Sequence, residues 1–248
     1  ITENLLLSST LRLDINDTKQ SLDYNLYDVS DFYSDEIKDD GLIGGSIKIN
    51  YQHSKTLIFN TFLSRGYKTS GINQTHYAGD EQNSGFDEKF RIYDTESCNN
   101  IELGMNYTDK KYNLKLSTFY MHRDDPQLRL AHQYTSDPTS FDYATYNAEF
   151  AYHYGFEADF IINFSKFLTI SKSLSFLETY VSEFEYRNTI YGNRELAHSP
   201  NQKYTFGLSY DFSKYITGLK LNIQSNYITE FYFEEQNNVK SEPYNLID

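Results

Sequence analysis

Two acidic side chains in the segment FEADF could do acid–base chemistry. Glu157 and Asp159 lie two residues apart, so in an extended strand both carboxylates project from the same face. Paired carboxylates are the arrangement that glycoside-hydrolysing enzymes use. A second pair, Asp124 and Asp125, directly precedes Pro126, a context that favours the edge of a loop. No Gly-x-Ser-x-Gly, His-Glu-x-x-His, Cys-x-x-Cys or phosphate-binding glycine motif accompanies either pair, so the sequence predicts a protein that is not an enzyme.

The residues that most often hold metals are sparse. Cys98 is the sole cysteine, which excludes an intrachain disulfide and a cysteine-based metal site. The histidines show no i, i+4 pairing on a helix; they are His53, His76, His122, His132, His153 and His198. We therefore predict no protein-held metal and no cofactor, with the histidines as solvated residues.

The candidate ligand-binding residues lie in two segments without strand periodicity, residues 69–96 and 131–146. Aromatic rings with scattered basic side chains suit a flat or chelated ligand, because rings stack and cations attract negative charge. The candidates are His76, Tyr77, Arg91, Tyr93, His132, Tyr134 and Tyr143. The same aromatics could instead stabilise the loops at a membrane interface, and the sequence leaves both roles open.

The elements that would position these residues are strands. In YTFGLSYDF, residues 204–212, large and mostly ringed side chains alternate without exception with small polar ones. Alternation with a period of two predicts a β-strand whose faces meet different environments. The same pattern recurs over residues 5–15, 46–52, 101–107, 156–164 and 219–231. Several of these segments reach the ~9–11 residues that a tilted strand needs to cross a membrane.

The connections between the strands alternate in length. Short links are expected near residues 53–55, 109–110, 165–166 and 213–218. Long connections are expected over about 18–43, 69–96, 134–143, 188–200 and 235–243, with an extra hairpin conceivable at 21–33. Short turns at one end and long loops at the other are typical of outer-membrane barrels. The sequence thus predicts an all-β, antiparallel transmembrane β-barrel with about ten strands and no internal domain boundary over 1–248.

Composition agrees with this fold class. The net charge of −13 disfavours binding to nucleic acid through bulk electrostatics. The mean hydropathy of −0.65 is compatible with a barrel, because apolar residues occupy only alternate positions. No apolar run is long enough for a transmembrane helix, and ITENLLLSST shows no export signal, as expected if the chain begins inside a longer protein.

One residue conflicts with the alternation. Lys172 falls on the apolar face of the strand that starts near Leu168. Either a bulge shifts the register there, or Lys172 lies near a membrane interface and extends its amine towards water.

Five segments between residues 62 and 210 resemble the barrels of TonB-dependent outer-membrane receptors. They are FLSRGYKTSGIN (62–73), YDTESCNNIELGMNY (93–107), STFYMHRDDPQLRL (117–130), YHYGFEADF (152–160) and LAHSPNQKYTFGLSY (196–210). The motif residues within them are Gly66, Tyr67, Lys68, Gly71, Asn73, Glu102, Gly104, Gln127, Gly155, Glu157 and Pro200. Their order and spacing together are more specific than any one of them.

The resemblance implies a receptor in the bacterial outer membrane that takes up a scarce nutrient, most often a ferric siderophore. It implies contact with outer-membrane lipid, a plug domain inside the barrel, and a TonB complex that supplies energy through the region preceding this chain. Iron would belong to the transported ligand. The chain would be the latter part of a barrel of about 22 strands, without the plug and the last strands. Glu157 and Asp159 would then be wall charges that hydrogen-bond the plug.

Other functions remain open from the sequence. Uptake of another large solute, such as a carbohydrate or cobalamin, would use the same architecture. A non-membrane all-β surface binding module and a barrel lipase belong to different classes. The lipase would need a Ser–His pair near one rim, and the sequence shows no such pair.

Overall fold

A computed structural model describes residues 4–26, 29–73, 92–133, 141–186, 189–235 and 238–248. Its main element is one ten-stranded antiparallel sheet. In sheet order the strands are β1 (Leu5–Leu26), β2 (Val29–Gln52), β3 (Leu57–Lys68), β6 (Glu96–Thr108), β7 (Tyr112–Asp124), β10 (Phe150–Asn163), β11 (Leu168–Val181), β14 (Gln202–Asp211), β15 (Lys220–Ile228) and β16 (Tyr244–Ile247). Three small two-stranded sheets are β4 (Gly71–Ile72) with β5 (Ile92–Tyr93), β8 (Gln127–Gln133) with β9 (Phe141–Asn147), and β12 (Phe184–Tyr186) with β13 (Thr189–Tyr191).

The two faces of the ten-stranded sheet differ as the alternation predicted. One face, here called the outer face, carries apolar rows such as Ala158, Leu174 and Tyr204, which the register places side by side. These rows are uncovered: Leu11 is 75% exposed, Leu103 49% and Phe156 44%. Such a surface is costly in water and stable in hydrocarbon, which is how a barrel wall meets lipid. The opposite, inner face is predominantly polar. The described residues include no helix able to cross a membrane.

The packed core lies at one end of the sheet. Leu128, Leu130, Val181, Phe184 and Leu196 form a buried cluster with neighbouring alanines and Tyr186. These residues come from the small sheets and from the strand ends beside them. The described parts of the long connections that supply these residues are therefore packed, and this end is called the long-connection end.

The four short links are confirmed. They span residues 53–56, 109–111, 164–167 and 212–219, all at the opposite, short-turn end. The hairpin conceivable at 21–33 is present, since residues 21–26 pair with 29–34, but the long loop expected around it over 18–43 is wrong. Residues 16–26 pair with 29–39 in continuous antiparallel register, after one shift between Asp14 and Asn16, so β1 and β2 form a single long hairpin. The backbone there pairs with itself although the sequence is rich in turn-forming residues, because a hairpin satisfies every ladder hydrogen bond locally.

Aromatic side chains mark two levels of the outer face. At the short-turn end, Tyr112 stacks with Phe160 at a centroid distance of 6.1 Å. Towards the long-connection end, Tyr152 stacks with Tyr154 at 6.2 Å and with Tyr180 at 5.0 Å. Two aromatic levels on an apolar wall are typical of the girdles at the two membrane–water interfaces.

The register around Lys172 excludes a bulge. Lys172 pairs with Phe160 on one side and Phe206 on the other, and both ladders run through it without a shift. Lys172 thus lies on the outer face, four residues from the start of β11 at the short-turn end. Its long side chain can direct the amine to the nearby interface while its methylene groups cover the wall.

The inner-face glycines Gly104 and Gly207 do not leave empty space beside them. A Cβ on Gly104 would lie 2.0 Å from Oδ1 of Asn60, and one on Gly207 would lie 2.3 Å from Oγ of Ser171. The cross-strand neighbours already fill these positions. A glycine at these positions lets a polar side chain of the neighbouring strand fold over it.

Candidate ligand-binding mouth

A cavity of about 680 Å³ opens where the inner face meets the packed long connections. Arg123 enters it from the end of β7, His153 from β10, and Arg129 and Tyr143 from the β8–β9 hairpin. The connections after β13 and β15 complete the wall with Ala197, His198, Phe233, Glu234 and Glu235. Its volume is within the range of small-molecule sites, and its lining combines rings with cationic and acidic groups.

A buried carboxylate organises the floor of the cavity. Glu96, at the start of β6, accepts hydrogen bonds from Nε and Nη2 of Arg123 at 2.7 and 2.9 Å. It also accepts the backbone N–H of Gln127 at 2.8 Å and lies 3.4 Å from Nζ of Lys68. The Glu96 side chain is 7% exposed and that of Arg123 is 15% exposed. A bidentate pair with a further donor is the geometry in which a buried ion pair fixes its surroundings.

The same network ties three segments of chain together. The Nε2 amide of Gln127 donates to the carbonyls of Thr69 and Asp94, at 2.9 and 3.0 Å. Asn73 exchanges two 2.7 Å hydrogen bonds with the backbone of Thr145, as a strand neighbour would. The β8–β9 hairpin is thereby held against the segments that precede β6, and this fixes where its side chains lie.

Arg129 and Tyr143 form the aromatic part of the mouth. The guanidinium carbon of Arg129 lies 4.4 Å from the centre of the Tyr143 ring. This is close enough for a cation–π contact, which holds the ring and the charge as one surface. The pair offers a ligand a face to stack on and a cation to neutralise an anionic group.

Two polar atoms in the cavity wall have no hydrogen-bond partner within the described part of the chain. They are Nε2 of His153 and Oε2 of Glu235, and both atoms are buried. The other carboxylate oxygen of Glu235 accepts the N–H of Ala197 at 2.8 Å. A buried polar atom without a partner is costly unless a ligand or water supplies one, so these two atoms are available to a bound molecule.

Burial raises the pKa of Glu235 above its ordinary value, although the Ala197 N–H, the arginines Arg194 and Arg123 and the nearby His198 partly oppose the shift. The folded mouth therefore binds a proton more tightly than the unfolded chain does. Docking of the 229–235 segment should be most stable below the ordinary glutamate pKa of about 4.3 and should weaken as pH rises through the raised value.

We expect Glu235→Gln to remove this pH dependence, because an amide cannot ionise. Hydrogen exchange of the peptides that contain Ala197 and residues 229–235, corrected for intrinsic rates between pH 4 and 7, measures it in the full receptor. Glu242 is exposed in the same connection, so Glu242→Gln is the matched control. It should leave the pH dependence of hydrogen exchange as it is in the parent protein. A slope that survives in Glu235→Gln would assign the pH response to another group.

The predicted binding residues divide into three groups. His76, Tyr77, Arg91 and Tyr134 lie outside the described residues, and so does the side chain of His132. Tyr143 lines the cavity. Tyr93 instead covers Gly71, where a Cβ would lie 2.1 Å from the Tyr93 hydroxyl oxygen, and it is not among the residues that line the cavity.

The motif residues fall in several places. Lys68, Gln127 and Asn73 belong to the network beneath the cavity. Tyr67 donates a hydrogen bond to Asp14. Glu102, Gly104 and Glu157 line a polar recess of about 220 Å³ on the inner face, together with Asp159 and Lys115. Gly155 lies inside β10, Pro200 is buried before β14, and a Cβ on Gly66 would meet nothing within 4 Å.

Sequence reasoning missed most of the residues that build the mouth. Glu96, Arg123 and Arg129 were not candidates, and His153 and His198 were expected to be merely solvated. One signal was present for Arg123 and His153: both fall on the polar face of a strand, close to its long-connection end. Glu235 could be found only from the way the last long connection folds back over the cavity. In the described part of the chain, no three His, Cys, Asp or Glu side chains gather closely enough to hold a metal ion.

Comparison with known proteins decides the family. The whole chain, residues 1–248, matches the family described as "TonB dependent receptor-like, beta-barrel". The chain belongs to this family. Among curated proteins, none matches the chain significantly.

Solved structures support the receptor-barrel fold. The ferric yersiniabactin uptake receptor FyuA from Yersinia pestis superposes with a TM-score of 0.78 at 18% identity, over 100% of this chain and 35% of that one. The copper transporter OprC superposes with a TM-score of 0.70 at 15% identity, over 100% of this chain and 37% of that one. The siderophore receptor PiuA from Acinetobacter baumannii superposes with a TM-score of 0.69 at 16% identity, over 99% of this chain and 34% of that one.

The chain thus spans about a third of each of these structures. The predicted family and the predicted antiparallel barrel, of which this chain is a part, are confirmed. The prediction that the chain is not an enzyme is confirmed as well, because the family and these neighbours are receptors and transporters.

Proposed function

We propose that this receptor barrel belongs to the bacterial outer membrane and takes up a ferric siderophore through the mouth described above. The observation that carries the proposal is the cavity itself. It lies on the inner face at the long-connection end, and it presents Arg129 stacked on Tyr143 beside Arg123 and two histidines. Rings and cations held rigidly in one cavity suit a chelate that is flat, aromatic or negatively charged.

The uncovered outer face supports the membrane location, because its apolar rows need hydrocarbon on that side. The polar inner face supports a filled, wet interior. We infer that a plug domain lies against it, with Glu157 and Asp159 among its contacts, and that a TonB complex acts through that plug. Asp159 already accepts a hydrogen bond from Ser173 at 2.6 Å, which leaves its second oxygen and the Glu157 carboxylate for a plug.

The test is ligand binding by the full receptor. Purified protein would be titrated with ferric chelates of the catecholate, hydroxamate and phenolate classes, and with cobalamin and oligosaccharides, by isothermal calorimetry. We expect one ferric chelate to bind, and Arg129→Gln and Tyr143→Ala each to weaken it about tenfold, the effect of losing one stacking or cation contact.

The matched control is Arg65→Gln, an arginine on the outer face that a ligand in the mouth cannot reach. It should leave chelate affinity unchanged. If cobalamin or an oligosaccharide binds and no ferric chelate does, the receptor takes up that other class of solute instead. Equal chelate affinity in the parent and both mouth variants would remove the cavity from the proposal.

A further inference from the structure

A β-bulge in the β1–β2 hairpin sets the position of one carboxylate. The register shifts between Asp14 and Asn16, so that two residues of β2, one of them Gly41, lie opposite Ile15 alone. Gly41 has a φ of 74°, in the left-handed region that favours glycine. A bulge of this kind re-aims the side chains beside it. Here it brings Asp39 directly opposite Asn16, on the same face of the hairpin.

The Asp39 carboxylate accepts hydrogen bonds from three segments of the chain. Its Oδ2 atom accepts from Nδ2 of Asn16 at 3.1 Å, from the backbone N–H of Ser70 at 3.2 Å and from the Ser70 hydroxyl. Its Oδ1 atom accepts from the Thr95 hydroxyl at 3.0 Å. Burial opposes ionisation, but the hydrogen bonds from Ser70, Asn16 and Thr95 outweigh it and hold the pKa of Asp39 below its usual value. These four residues are called the Asp39 clamp, and a charged acceptor makes its hydrogen bonds strong.

The Asp39 clamp joins the β1–β2 hairpin to the segments that hold β8. The carbonyls of Thr69 and Asp94 accept hydrogen bonds from Nε2 of Gln127 at 2.9 and 3.0 Å. Each of these carbonyls directly precedes a residue that Asp39 holds. Gln127 is the first residue of β8, and Arg129 of the mouth follows two residues later. A displacement of either segment would therefore be transmitted to β8 and to the side chains that it presents.

We propose that Asp39 is a positioning residue of the mouth. By clamping the β1–β2 hairpin to both segments beside β8, it holds Arg129 and Tyr143 where a ligand meets them. Asp39 is not among the residues that line the cavity, so it acts through Gln127. Linkage makes the effect reciprocal: if the clamp strengthens ligand binding, a bound ligand stabilises the clamp by the same factor. The inference rests on the proposed function, because its ligand is the chelate bound in the mouth.

The sign of the expected effect separates positioning from electrostatics. Asp39 belongs to an acidic stretch of a chain whose net charge is −13. If Asp39 acted on an anionic chelate only through its charge, removing that charge would strengthen binding. A positioning role predicts weaker binding instead, because the ligand would then have to order segments that the clamp holds in place.

The experiment compares Asp39→Ala and Asp39→Asn in the full receptor, each titrated with the ferric catecholate, hydroxamate and phenolate chelates. We expect the chelate that binds to the parent protein to bind about tenfold more weakly to Asp39→Ala. Asp39→Asn should recover most of the affinity. Its amide keeps an acceptor oxygen for Ser70, and the Thr95 hydroxyl can accept a hydrogen bond from its NH₂ group.

Hydrogen exchange locates the effect in the chain. Without ligand, Asp39→Ala should exchange faster than the parent protein over residues 69–73 and 92–97 and over β8. Saturating chelate should slow exchange of hairpin residues 16–26 and 29–39 in the parent protein, and not in Asp39→Ala. Heat-modifiable migration, by which a folded barrel is recognised on a gel, should be the same in all variants, so that a loss of affinity is not a loss of folding.

Glu36→Ala is the matched control for the lost charge. Glu36 lies on the same strand, and its carboxylate is 2.8 Å from Nζ of Lys38 within the hairpin. Its removal should leave chelate affinity and the exchange of residues 69–73 as they are in the parent protein. Ser70→Ala keeps the backbone N–H that Asp39 accepts, so it should weaken binding less than Asp39→Ala does.

Three results would overturn the inference. Equal chelate affinity in the parent protein and Asp39→Ala would remove Asp39 from ligand binding and leave the proposed function intact. Unchanged exchange over residues 69–73 and 92–97 in Asp39→Ala would show that the clamp does not hold these segments, and an equal loss of affinity in Glu36→Ala would assign the effect to charge. If no chelate binds to the parent protein, the proposed function fails and the role of Asp39 in binding fails with it.

Discussion

Glu96→Gln is expected to destabilise the folded barrel by about 3 kcal/mol, since removing one partner of a buried ion pair leaves the other charge uncompensated. The Glu96 carboxylate accepts from two nitrogens of Arg123 and from the backbone of Gln127, and Lys68 lies 3.4 Å away. Glutamine has nearly the same shape, but its NH₂ group replaces one acceptor oxygen, so two hydrogen-bond donors would face each other there. The guanidinium of Arg123, whose side chain is 15% exposed, would lose most of the negative charge that compensates it. The urea concentration at which heat-modifiable migration of the full receptor is lost measures the effect.

Glu102→Gln is the control for this change. Glu102 lies on the same strand and the same face as Glu96, six residues away, and it is only half-buried. Its replacement should alter stability by less than about 0.5 kcal/mol, as is usual away from a buried network. Removing both members of the pair, in Glu96→Gln with Arg123→Gln, should cost less than the sum of the single changes. Additive costs would show that the pair does not act as a unit.

Gly155→Ala is expected to destabilise the wall by about 3 kcal/mol, the upper range for forcing an extra carbon into a packed site. A Cβ at this position would lie 2.1 Å from the backbone oxygen of Phe176 and 3.0 Å from Cζ of Phe119. The carbonyl of Gly155 is also held by the Thr118 hydroxyl at 3.0 Å. The strand cannot move away without breaking its pairing with β11, so the methyl group acts against the backbone. Folding yield and the urea midpoint of the full receptor would both fall.

Gly104→Ala separates this backbone clash from a general intolerance of side chains on the inner face. A Cβ on Gly104 would meet Oδ1 of Asn60 at 2.0 Å, yet that atom is the end of a side chain that can rotate away. The cost should be about 1 kcal/mol, the scale of one unfavourable rotamer. Equal costs for the two alanines would contradict the distinction.

The crossing strands could be predicted from the sequence because each has to satisfy two environments at once. In β10 and β14 every second side chain is set by hydrocarbon, and the residues between them by a polar interior, so the period of two survives in the sequence. The short turns follow from the same constraint. Of the paired region over 16–39, the sequence indicated only a conceivable hairpin at 21–33, because its many turn-forming residues favour a loop over the long strands that the structure forms.

The mouth could be located only coarsely. That ligands meet the long connections stays a prediction implied by the family resemblance, and Tyr143 is the one predicted candidate that lines the cavity. Glu96, Arg129 and Glu235 come together through contacts between segments far apart in sequence, and a single sequence carries no signal for which segments meet. The motif residues Lys68, Asn73 and Gln127 have a physical reason only in the structure, where Asn73 and Gln127 hold the β8–β9 hairpin against its neighbours and Lys68 lies beside the buried Glu96.

The length of the β1–β2 hairpin has a consequence for the approach of solutes. A membrane crossing needs ~9–11 residues, whereas β1 has 22 and β2 has 24, so in the proposed outer membrane about half of the hairpin would lie outside the bilayer. Between Asn16 and Asp40 the chain carries eight acidic and two basic residues. This part of the hairpin carries a net negative charge, and its electrostatic field extends about 8 Å in physiological salt. Cations collect around it, whereas an anionic solute is repelled at low ionic strength and diffuses in more freely as salt screens the field.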